Sequence, residues 1–83
     1  MVSAHTQKVA DRAKTIYADR LQAALEPLHH GRYVAIEPDS GDHFLADSFG
    51  EAVDLAQDAH PSRISFVIRI GHAAALHLGG LAR

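Results

Sequence analysis

An α+β fold is predicted by three patterns in the sequence. Apolar residues recur at helical spacing over residues 6–26, two short alternating runs flank a turn-rich PDSGD, and RISFVIRI alternates with period two after a second helical segment. The predicted order is a long N-terminal helix, a β-hairpin, a helix, a strand (ββαβ) and a short C-terminal helical turn. The three strands are expected in the order 2-1-3, which puts the Val/Ile-rich first strand at the centre of the sheet.

In the first segment Val9, Ala13, Ile16, Tyr17, Leu21, Ala24 and Leu25 fall on one side of a helix, and Lys8, Asp11, Arg12, Asp19, Gln22 and Glu26 fall largely opposite. Ser3 or Thr6 can cap its start. Pro27 is expected to end it, because the residue before proline is pushed out of helical geometry. At about 1.5 Å per residue the helix spans roughly 30 Å, so part of its apolar stripe is expected to need a partner. PLHHG reads as a linker. RYVAIE and HFLAD then read as strands joined by a loop of about four or five residues, in which Pro38, Asp39, Ser40 and Gly41 supply turn chemistry.

Ser48 and Glu51 stand at capping-box spacing ahead of a helix whose Val53, Leu55, Ala56 and Ala59 form a face of mostly small residues, and Pro61 stops it. Small side chains let such a helix sit close on one face of a sheet. In the last strand Ile64, Phe66, Ile68 and Ile70 share one face, with Ser65, Val67 and Arg69 on the other. Gly71 interrupts it, and HAAALHLGG reads as a short helical turn over residues 73–78 closed by Gly79.

The chain has 83 residues, enough for one domain: residues 1–27 as an amphipathic helix that can serve as an association arm, and residues 32–83 as the ββαβ core and tail. The absence of cysteine removes thiol nucleophiles and redox motifs and fits a cytoplasmic protein. The N-terminus does not read as a signal peptide, and no run approaches the roughly 18 apolar residues of a membrane span. A net charge of −2 with interleaved signs argues against nucleic-acid binding by counterion release. The few aromatics make a poor base-stacking platform.

Among seven histidines, the pairs His29/His30 and His72/His77 are the candidates for metal ligands. Residues five apart on a helix are separated by about 140°, so His72 and His77 would not share a face; no metal and no cofactor are expected. Asp39 and Asp42 flank a turn, and Asp47 precedes a helix N-terminus where negative charge is favourable, so polar structure accounts for each. Asp54 and Asp58 are the remaining acids considered. Ser40, Ser48, Ser62 and Ser65 lack a G-x-S-x-G context, and the glycines form neither GxGxxG nor GxxxxGK. The chain is not expected to be an enzyme.

The stretch from residue 16 to residue 80 resembles a group of small uncharacterised bacterial proteins with an IYxxRLxxxLEP helix, a GxYVAIxxxSGD hairpin and a closing RIGxxAAxxLGG. Members of that group are encoded beside small retropepsin-like aspartic proteases in some bacteria, and the resemblance implies a protease-like protein partner. The central YVAIEPDSGDHFLADSFGEAVDLAQ is similar to the partial RNase H-like fold of HicB-type antitoxins, which implies a toxin-like partner. The first helix here is extra, and the C-terminal DNA-binding module of many such antitoxins is lacking.

The expected function is therefore protein–protein contact, as a homo-oligomer and as the antitoxin-like or accessory member of a two-gene unit. Ile16, Tyr17, Leu21 and Leu25 are expected as association or core positions, with the strand over residues 64–70. One alternative is a metal or small-ligand module built on histidines. A second is a β-grasp-like modifier, since Gly79–Gly80 is similar to the tail of such proteins; the three following residues would then require processing.

Overall fold

The computed structural model describes residues 4–71 and 76–80. Its elements are α1 (Ala4–Ile16), a π turn (Tyr17–Leu21), α2 (Gln22–His29), β1 (Tyr33–Glu37), β2 (Asp42–Ala46), α3 (Phe49–Ala59), β3 (Ile64–Arg69) and β4 (Leu76–Gly80). The predicted α+β architecture and the antiparallel order 2-1-3 are present, extended by a fourth strand to β2-β1-β3-β4.

The long N-terminal helix owes its π turn to its sequence. Val9, Ala13, Tyr17, Leu21 and Leu25 are spaced four apart, whereas an α-helix turns in 3.6 residues, so each step drifts by about 40° and the four steps by about 160°. A π turn takes up extra residue and rotates the stripe back. Its signature is the Gln22 N–H bonded to the Tyr17 carbonyl. Leu21 and Leu25 are thereby buried on the same side as Ala10 and Ala13. The Tyr17 hydroxyl donates to Glu26 Oε2 at 3.0 Å, and burial together with that bond pushes its pKa above the usual tyrosine value.

One boundary differs from expectation. The helix continues through Pro27 to His29 rather than ending at the proline. The lost bond would have joined Pro27 to the Ala23 carbonyl, and both residues are exposed, where water can serve that carbonyl. Of the two expected caps, Thr6 falls within α1 and Ser3 lies outside the described residues.

The predicted C-terminal helical turn is the larger correction. Residues 76–80 form β4, antiparallel to β3 with Leu76 opposite Ile68, Leu78 opposite Phe66 and Gly79 opposite Ser65; residues 72–75 lie outside the described residues. Main-chain hydrogen bonds to the edge of β3 hold residues 76–80 extended. Gly79 is thus a strand residue and not a helix cap.

Both faces of the sheet are covered. Val34, Ile36, Phe66, Ile68 and Ile70 pack under the N-terminal helix with Ala10, Ala13, Leu21 and Leu25. Ala35, Ala46 and Val67 pack under α3 with Ala52 and Ala56, whose small side chains bring that helix close. The hairpin loop has four residues between Glu37 and Asp42. Ser48 caps α3 by accepting the Glu51 N–H at 3.2 Å; its hydroxyl also donates to the Glu51 carboxylate at 3.4 Å, so the reciprocal half of the box closes on the side chain.

Candidate interaction surface

The densest polar constellation surrounds the β1–β2 turn. Glu37 ends β1 with 2 % of its surface exposed. Its carboxylate accepts the backbone N–H of Asp39 at 3.0 Å and of Ser40 at 2.8 Å. The Ser40 hydroxyl donates to the Glu37 carbonyl at 3.3 Å and accepts the Asp42 N–H at 3.1 Å. Arg12 from α1 donates to Asp39 at 2.9 Å and to the Pro38 carbonyl at 3.2 Å. Arg63, ahead of β3, donates to Asp39 at 2.8 Å and stands 3.9 Å from Glu37. Burial pushes the Glu37 carboxyl up, but hydrogen bonds from the Ser40 side chain and the Ser40 and Asp39 amides outweigh it and hold the pKa below the ordinary glutamate value.

Ser40, His60 and Asp42 meet in this cluster without forming a nucleophilic triad. His60 Nε2 lies 2.8 Å from Asp42 Oδ2 and 3.4 Å from Ser40 Oγ. A triad uses the two ring nitrogens separately, one toward the carboxylate and one toward the hydroxyl; here one nitrogen faces both. The Ser40 hydroxyl is moreover engaged in the turn. This constellation clamps the hairpin to α1 and to the loop after α3.

Of the candidate histidines, His29 and His30 face different neighbours. His29 Nδ1 faces Arg32 Nη1 at 3.0 Å, and His30 packs against Gly71. His72 lies outside the described residues, and His77 is placed in β4 opposite Val67. Among the described residues no three His, Cys, Asp or Glu side chains are grouped to hold a metal ion. Leu21 and Leu25 are buried against the sheet, with Ile16 and Tyr17 packed beside them.

A second surface, open to a partner strand, lies at the other end of the hairpin. β2 is an edge strand that pairs with β1 on one side; among the described residues no strand pairs with its outer side, where alternate N–H and C=O groups point outward. Beside its end, Arg32, Leu45, Ala46, Asp47, Glu51, Asp54 and Leu55 line a groove of about 310 Å³. Leu55 is 44 % exposed there. Arg32 Nε donates to Asp47 at 2.8 Å, leaving Glu51 and Asp54 exposed on the rim.

Sequence reasoning placed Leu55 on the buried face of α3. At about 100° per residue, Leu55 falls between the buried arc of Ala52 and Ala56 and the acidic arc of Glu51, Asp54 and Asp58, and that border position was the available signal. Among the described residues no helix is long and apolar enough to cross a membrane. No family model, curated protein or solved structure matches this chain. The fold and its surface define a small antiparallel sheet with helices on both faces and, among the described residues, two edge strands, β2 and β4, each paired on one side alone.

Proposed function

We propose that this protein is a cytoplasmic interaction module that binds another protein by strand addition at β2, as the accessory or antitoxin-like member of a two-gene unit. The observation that carries the reading is the outer side of β2, unpaired among the described residues, beside a groove with an exposed leucine. Extended segments add to such edges through main-chain hydrogen bonds, and adjoining pockets supply selectivity. The N-terminal helix is a less suitable association arm, because Leu21 and Leu25 are consumed in the chain's own core. A modifier-like role for Gly79–Gly80 is likewise disfavoured by their pairing with Ser65 and Ile64.

The test is a selection of extended peptides from a random library against the whole protein, followed by mapping of each selected peptide through backbone amide shifts. Binders are expected to perturb residues 42–47 and 51–55. Binders that map to the outer face of α1 and α2, or a selection that yields none, would overturn the reading.

A further inference from the structure

We infer that the segment accepted at β2 is basic: an extended strand whose arginine or lysine side chains lie on the α3 side and reach Asp47, Glu51 and Asp54, while its alternate, apolar side chains fall on the opposite face beside Leu45. This rests on the strand-addition reading above and specifies its partner. The groove sets three carboxylates against one guanidinium, that of Arg32. The whole of α3, FGEAVDLAQDA, carries Glu51, Asp54 and Asp58 and no lysine or arginine, so its exposed side presents one sign of charge to anything lying along β2. A cationic strand is drawn to that field, whereas an acidic strand or a nucleic-acid backbone is repelled by it.

The same charge decides against a second copy as the occupant. Pairing β2 with β2 of another molecule about a two-fold axis would continue the sheet and place the two α3 helices on one face. Their acidic rims would then confront each other across the new seam, and like charges so placed are destabilising. Carboxylates on the α3 side of β2 and Leu45 on its other face match the alternating basic and apolar side chains of a foreign strand more closely. Arg32 adds order to the site, since its bond to Asp47 ties the start of β1 to the end of β2.

The experiment titrates three synthetic twelve-residue probes into the isotope-labelled full chain: alternating arginine and valine, alternating glutamate and valine, and the arginine–valine probe N-methylated at alternate residues. The arginine–valine probe is expected to shift amides of residues 42–47 and 51–55 and to bind at least about tenfold more tightly than the glutamate probe. Raising ionic strength should weaken it, N-methylation should abolish the β2 shifts, and Asp54→Lys should narrow the preference without changing the fold. Equal binding of both charges at β2 overturns the basic-partner inference and leaves strand addition standing. Binding of the arginine probe unaffected by N-methylation, or absence of β2 shifts with every probe, overturns strand addition itself. Concentration-dependent β2 shifts without any probe would assign the edge to a second copy and overturn the inference.

Discussion

His30 packs so closely on Gly71 that a Cβ at Gly71 would overlap the ring at Cδ2 and Nε2. Gly71 also holds φ at +84°, a conformation that side chains strain to adopt. The two residues join the end of the N-terminal helix to the end of β3, where Gly31 N–H reaches the Ile70 carbonyl at 2.8 Å and Ile70 N–H reaches the Arg32 carbonyl at 2.8 Å. Gly71→Ala is expected to cost more than about 1 kcal/mol in urea denaturation. In the His30→Ala background it should cost measurably less, since the overlap is gone and only the backbone strain is left. Strict additivity of the two substitutions would refute the contact.

Glu37 gives the fold a carboxylate-dependent joint. Glu37→Gln leaves one of two partly buried amide donors facing an NH₂ group, and a loss of about 1–3 kcal/mol is expected. Because the folded pKa is lowered, the contribution is fully present above the unfolded value of about 4.3 and disappears as pH falls through the folded value. Acid denaturation of the wild type should therefore be steeper than that of Glu37→Gln between the unfolded and the folded value. Parallel acid curves would show that the carboxylate is not the joint.

The apolar stripe of the N-terminal helix serves its own sheet. Leu25→Ala is expected to lower stability by about 2–5 kcal/mol and to leave the sedimentation coefficient unchanged. A loss below about 1 kcal/mol accompanied by dissociation of an oligomer would mean that the stripe serves a partner.

Ser65 holds a buried hydroxyl with no hydrogen-bond partner among the described residues. Removing an unsatisfied group is neutral or favourable, so Ser65→Ala should be unchanged or stabilised by up to about 1 kcal/mol in thermal and urea unfolding. A clear destabilisation would reveal a partner for the hydroxyl.

The elements that were legible in the sequence are those whose local pattern agrees with their tertiary role. Ile64, Phe66 and Ile68 alternate because one face of β3 packs under a helix, and Ser48 announces α3 because its cap is a local bond. The π turn was hidden, although spacings of four from Val9 to Leu25 contain it, because helical periodicity is ordinarily read at 3.6. Pro27 misled because the cost of a proline depends on whether water reaches the freed carbonyl, which is set by the fold. β4 was missed because its partner strand, not its own alanine-rich approach, decides its conformation. At the candidate surface the acids Asp47 and Asp54 were visible individually, but their convergence with Leu45 and Leu55 arises only when β2 and α3 come together.

Amide hydrogen exchange along β2 tests the central claim most directly. In the free protein at low concentration, outward-facing amides of residues 42–46 should exchange rapidly while those bonded to β1 are protected, and a saturating arginine–valine strand should protect the outward set. Protection of every β2 amide in the free protein, or no gain of protection on saturation, would contradict the account.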